Sequence, residues 1–159
     1  MLDNVQKDLI IRYTEDSYEW VNEDLRKKEG ILINTYDFSQ ELDKALRELP
    51  NYNDITYRGV NLTDKELVKY IEAYKQDTAI VEHTFVSSSR NQRVAKDFIK
   101  HEPPKKRVLF EIAGKTGKSI AEYSKSPQEQ EVLFVPNTRF SVDEIIYEDN
   151  KVLIRLFEV

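Results

Sequence analysis

The chain has 159 residues, with 24 Lys plus Arg against 29 Asp plus Glu, a net charge of -5 and 40% hydrophobic residues; that length suits one domain with a sizeable core. The acidic balance gives no general reason to bind nucleic acid, and the absence of cysteine excludes disulfides, thiolate nucleophiles and cysteine-built zinc sites. The opening M-L-D-N-V-Q-K-D is charged and lacks a long apolar run, so neither a signal peptide nor a membrane span is expected, and the protein would be cytoplasmic or be delivered into another cell without a classical signal.

Residues 4 to 28 predict helix, with Val5, Leu9, Ile10, Tyr13, Tyr18, Val21 and Leu25 recurring at three-to-four spacing. Thr14-Glu15-Asp16-Ser17 is expected to separate two short helices, with Asp16 or Ser17 capping the second. Lys27-Lys28 suit its last turn and Gly30 its stop, and Trp20, the one tryptophan, is expected to anchor the core. A short apolar run, Ile31 to Thr35, precedes a helix capped by Asp37 or Ser39, with Leu42, Ala45, Leu46 and Leu49 inward and Pro50 as its stop. Asn51 to Asp54 predicts a turn-rich link. Residues 1–50 thus form a helical part, and 55–159 a mostly β core within the same domain.

Ile55-Thr56-Tyr57-Arg58-Gly59-Val60 predicts a strand, in which Gly59 permits close backbone approach to a ligand. In T-D-K-E, Thr63 and Glu66 form a capping box before a helix with Leu67, Tyr70, Ile71 and Tyr74 on its buried stripe. Ala79 to Ser87 is extended, and Ser88 or Ser89 is expected to cap a helix to about Lys100 with Val94, Ala95, Phe98 and Ile99 inward. His101 to Arg107 reads as a stiff basic loop, Val108 to Ile112 as a strand, and Gly114 to Lys118 as a turn before Ser119-Ile120-Ala121. After the strand Val132 to Val135, Phe140 to Tyr147 is extended. Glu148-Asp149-Asn150 turns the chain into Lys151 to Glu158, where Val152, Ile154, Leu156 and Glu158 share one parity. Strands spaced without helices predict a mainly antiparallel second half.

The stretch Y-S-K-S-P-Q-E-Q-E-V-L-F, Tyr123 to Phe134, carries the chemistry. Its polar start and proline mark a loop and its Val-Leu-Phe marks a buried strand, so Glu129 and Glu131 sit where a loop enters a sheet. In extended backbone, residues two apart lie on one side, about 6.5 Å apart, and both carboxylates would face one cleft. A carboxylate pair alone also suits a glycosidase.

Other constellations carry less. His83 and His101 lack zinc spacing and companions. His83 beside the strand serines lacks a nucleophile elbow. Gly114-x-x-Gly117-Lys118-Ser119 has the tail of a phosphate loop, but Ile112 stands where its first glycine belongs.

Tyr57-Arg58-Gly59, then Phe85-Val86-Ser87-Ser88-Ser89, then Glu129-x-Glu131 running into Val-Leu-Phe resemble the arginine-serine-glutamate class of mono-ADP-ribosyltransferases. That class includes arginine-modifying bacterial toxins and effectors and their phage relatives. The similarity spans about Ile55 to Val142. It implies an α+β fold, with N-terminal helices packed on a split, mainly antiparallel β-sheet. It also implies NAD as cosubstrate and no metal.

By the same resemblance, Arg58 would hold the NAD diphosphate through its fork of donors, and Gly59 would contact the nicotinamide side. Ser87 would orient Glu131, with Ser88 and Ser89 completing the cofactor-binding strand. Glu131 would accept from the ribose 2'-hydroxyl and stabilise the oxocarbenium-like state as nicotinamide leaves. Glu129 would orient the acceptor guanidinium and take its proton. Glu-x-Glu goes with arginine acceptors in the family. Glu131 directly precedes Val-Leu-Phe, so Glu129 takes the acceptor position and Gln128 lies outside the pair. Tyr123 and the loop to Gln128 would meet the target protein, and an activator protein is a further possible partner. An NAD glycohydrolase, and an inactive module binding NAD or a protein, are the alternative functions.

Overall fold

The computed structural model describes residues 2–27, 29 and 38–159. The expectations placed on Lys28, Gly30, the 31–35 run and Asp37 lie outside the described residues. Helix α1 (Asn4–Arg12) starts at a reciprocal box: Gln6 N–H donates to Asp3 Oδ1 at 2.7 Å and Asp3 N–H to Gln6 Oε1 at 2.9 Å. It does not stop at residue 14. The backbone passes through a π-turn, Tyr13–Ser17, into α2 (Tyr18–Lys27), so position 16 or 17 is interior to a helical run rather than its cap. Helix α3 (Phe38–Arg47) follows, and it includes Ser39 instead of being capped by it.

The remaining elements are β1 (Asn51–Tyr52), β2 (Ile55–Leu62), α4 (Asp64–Gln76), β3 (Ala79–Glu82), β4 (Val86–Ser89) and α5 (Gln92–Asp97). After them come β5 (Lys106–Ala113), β6 (Gly117–Ser119), β7 (Glu131–Phe134), β8 (Thr138–Glu148) and β9 (Lys151–Glu158). The architecture is helices on an open, mostly antiparallel sheet, as expected. The chain divides into two compact units: Met1–Tyr52, Glu82–Ser87 and Thr116–Thr138; and Asn53–Val81, Ser88–Lys115 and Arg139–Val159.

In the first unit the strand order is β1–β6–β7–β4, with Val86 and Ser87 its part of β4. The three helices bury Ile10, Val21, Leu25, Leu42 and Leu46 against Phe85, Ile120 and Leu133. Each such side chain contributes about 1.5–3 kcal/mol. Trp20 is not part of this core: it is 50% exposed, edge-on to Phe38 at 5.6 Å. Val21 and Leu25 take the inward stripe, and one residue along a helix turns a side chain about 100° away. Asn51 and Tyr52 are not a bare turn; they pair with Lys118 and Gly117 of β6. Lys118 is buried, and its Nζ donates to Leu49 O at 2.7 Å and Asn51 Oδ1 at 2.6 Å, tying the end of the helical layer to the sheet.

In the second unit the order is β4–β2–β5–β9–β8–β3. β2 runs antiparallel to β5 over its whole length and β8 antiparallel to β9, whereas β5 runs parallel to β9. The parity expected in β9 holds: Val152, Ile154, Leu156 and Glu158 are all buried, and Glu158 Oε1 accepts the Lys115 N–H at 2.7 Å. Thr63 and Glu66 form the expected box. Tyr70 packs on Phe110 at 4.9 Å, but Tyr74 is exposed and Ala73 takes the inward place. Ala79 to Ser87 is two strands, broken at His83–Phe85. Helix α5 is capped by Asn91, whose side chain accepts from Arg93 N–H, while Ser89 Oγ accepts from Asn91 N–H. The helix ends at Asp97, leaving Phe98 half exposed.

Gly59 sits where β2 passes beneath α5. A Cβ there would lie 1.8 Å from the Ala95 carbonyl oxygen and 2.8 Å from Ile99 Cγ1. Gly59→Ala must therefore displace α5 backbone, and a loss of about 3 kcal/mol is expected. Urea unfolding checks it; a midpoint equal to that of the parent protein would show that α5 yields freely.

Candidate active site

Glu131 is the first residue of β7. The buried Val132, Leu133 and Phe134 fix the strand behind it and leave its own side chain half-buried. Its carbonyl accepts the Ile120 N–H at 3.0 Å and closes the base of the loop between them. Its Oε2 accepts the Ser87 hydroxyl at 2.6 Å. That is the short range of an O–H donor on an ionised carboxylate. The expected pairing of Ser87 with Glu131 is thus present, 44 residues apart in sequence.

Ser87 is held from below by the helices. Phe85 is buried, with its ring 5.3 Å from Tyr13. Its N–H donates to Asn22 Oδ1 at 3.1 Å, and Asn22 Nδ2 donates to Tyr13 Oη at 3.0 Å. Sequence reasoning does not single out Asn22. The one signal is its type: an asparagine one place after Val21 in a helix, where such residues are unfavoured unless they have another task.

Glu129 reaches its place differently from the extended-chain expectation. Pro127–Glu129 is a 3-10 turn, and Gln130 is left-handed at φ 49 and ψ 49. Only Glu131 belongs to the strand, so the two carboxylates do not share a face by strand alternation. Proline at the first helical position favours the turn, and the left-handed residue then swings the chain into β7. Glu129 is half-buried and Gln128 exposed on this turn. Tyr123, expected to meet the target, ends a preceding turn (Ala121–Tyr123) and packs partly on the helical core. A hydrogen bond to Glu122 holds its phenol above the usual tyrosine range.

In the second unit, Arg58 and Gly59 lie in β2, opposite Phe110 and Leu109 of β5. Arg58 is half-buried. Ser88 and Ser89 are buried, and Ser89 faces Tyr57 across the β4–β2 pair. His83 Nδ1 lies 3.2 Å from Asn137 Oδ1, which gives it a structural partner without a nucleophile. Chemically, Arg58 offers a planar fork suited to phosphate oxygens. Glu131 offers a fixed anionic acceptor suited to a sugar hydroxyl or to positive charge developing beside it. Both kinds of group suit the chemistry of a dinucleotide such as NAD.

The family model for the ADP-ribosyltransferase exoenzyme matches residues 1–156. The chain is 29% identical over 162 residues to the ADP-ribosyltransferase Vis of Vibrio splendidus, covering 94% of this chain and 62% of Vis. It is 30% identical over 129 residues to the NAD–protein-arginine ADP-ribosyltransferase Tre1 of Serratia proteamaculans, covering 81% of this chain and 26% of Tre1. It therefore spans about three fifths of the first relative and about a quarter of the second. The crystal structure of Vis in complex with agmatine superposes with a TM-score of 0.78 at 26% identity, covering 100% of this chain and 76% of that one.

Proposed function

This chain belongs to the ADP-ribosyltransferase exoenzyme family, and from that premise we propose that it transfers ADP-ribose from NAD to an arginine side chain of a target protein and releases nicotinamide. The observation that carries the reading is the 2.6 Å bond from Ser87 to Glu131, with Glu129 two residues earlier on a tight turn. The relative named for protein arginine and the complex of Vis with agmatine, itself a guanidine, support arginine as the acceptor.

The bond to be broken is the N-glycosidic bond between nicotinamide and ribose. Its electron pair leaves with nicotinamide, and positive charge spreads over the ribose carbon and ring oxygen. Glu131, oriented by Ser87, accepts from the 2'-hydroxyl and lowers the cost of that charge. Arg58 binds the diphosphate. A guanidinium nitrogen then attacks the ribose carbon. Arginine holds its proton far into the alkaline range, so the proton leaves only as the new bond forms, to the Glu129 carboxylate. The target would be met in the cytoplasm of the producing cell or of a cell into which the protein is delivered.

The test incubates the protein with labelled NAD and mixed cell lysate, and follows both nicotinamide release and protein label. Discrete label removed by arginine-specific chemistry is the expected result. Nicotinamide release without label on protein or free arginine would make the protein a glycohydrolase. Absence of both signals would overturn the reading altogether.

A further inference from the structure

We propose that Thr14, in the N-terminal helical run, is a positioning residue for Glu129 and couples NAD cleavage to transfer; this rests on the function proposed above. The loop from Ile120 to Glu131 carries a series of bonds within itself. Ile120 N–H donates to Glu131 O at 3.0 Å, Ser126 N–H to Ser124 Oγ at 3.0 Å, Glu129 N–H to Ser126 O at 3.0 Å and Gln130 N–H to Pro127 O at 3.1 Å. Such a loop moves as a unit, and its direction depends on what fixes it from outside. Tyr123 packs its base on the helical core. Farther along, Lys125 N–H donates to Thr14 Oγ1 at 3.2 Å, across 111 residues of sequence.

Thr14 is built to take that bond. Its own hydroxyl donates to Ile11 O at 2.8 Å, which fixes the rotor and leaves the oxygen able to accept. It lies in the π-turn Tyr13–Ser17, an insertion that interrupts regular helix and is frequent at functional sites. The second link, Lys125 Nζ to Glu15 at 3.5 Å, joins side chains that are 67% and 40% exposed, and exposed pairs of this kind contribute little. The hydroxyl is the tether that matters. The N–H it holds lies about four residues before Glu129, inside the same bonded unit.

The two half-reactions should respond differently. Glu131 and Ser87 stand on strands β7 and β4, so bond cleavage with water as acceptor does not need the loop in one place. Attack by a guanidinium does, and a displacement of about 1 Å can cost up to about a hundredfold. Thr14→Val keeps the shape and removes the hydroxyl. With agmatine as acceptor, its transfer kcat/KM is expected to fall about tenfold while nicotinamide release in the absence of acceptor stays within about twofold. Thr14→Ser restores transfer to within about threefold. Glu15→Ala, which removes the exposed ion pair and keeps the Lys125 backbone N–H, leaves both activities within about twofold.

Equal loss of both activities in Thr14→Val, or unchanged transfer, overturns the tether. So does a Glu15→Ala variant that loses as much transfer as Thr14→Val. Absence of nicotinamide release in the parent protein is a separate failure, of the proposed function itself, and the parent is measured first.

Discussion

Glu131→Gln is expected to lower nicotinamide release about a thousandfold, and transfer with it. The amide keeps the size of the side chain and an oxygen that can still accept from Ser87, whose present bond is 2.6 Å. What it lacks is the charge. Removing one preorganised electrostatic group from a water-poor site typically costs about a hundred- to a thousandfold, and here the lost group is a full anion opposite developing cationic charge. Ser87→Ala removes only the orienting hydroxyl, so its loss should be smaller, about tenfold to a hundredfold. The order of the two effects is the informative part. A Glu131→Gln protein with more than about a tenth of the parent rate would show that the carboxylate does not stabilise the leaving step. The check is nicotinamide release at saturating NAD, on variants whose thermal midpoints match the parent.

Those residues are legible in the sequence because their backbone signals are local. Val132-Leu133-Phe134 could only be buried strand, and Glu131 before it could only stand at the strand's mouth. The Thr63–Glu66 box and the parity of β9, including the buried Glu158, follow from rules that act within a few residues. What stays hidden depends on distant partners or on single unusual dihedrals. Gln130 is left-handed without being glycine or asparagine, so nothing in Q-E-Q-E announces that Glu129 belongs to a turn rather than the strand. Trp20 reads as core by size, yet the stripe of α2 runs through Val21 and Leu25. Asn22 and Thr14 act on residues 63 and 111 positions away, and no periodicity reports such pairs. The parallel β5–β9 pairing likewise brings together strands that local pattern leaves unassigned.

Glu129→Gln is the second large effect, and it should divide the two activities. Transfer to agmatine or to protein arginine is expected to drop about a hundredfold, while hydrolysis stays within about threefold. The reason lies in where the proton goes. Water and a guanidinium both attack the same ribose carbon, but only the guanidinium arrives positively charged and must shed a proton it holds far into the alkaline range. A carboxylate in hydrogen-bond reach both aligns that cation and takes the proton, and general-base catalysis alone is worth about a hundredfold or more. The substituted amide would still fill the end of the Pro127–Glu129 turn, whose backbone bond from Glu129 N–H to Ser126 O is independent of the side chain. The geometry around Ser87 and Glu131 should persist, and with it bond cleavage. Parallel assays of nicotinamide release and acceptor modification on one preparation settle the point. If hydrolysis falls as far as transfer, Glu129 acts on NAD and not on the acceptor, and the arginine assignment loses its structural basis.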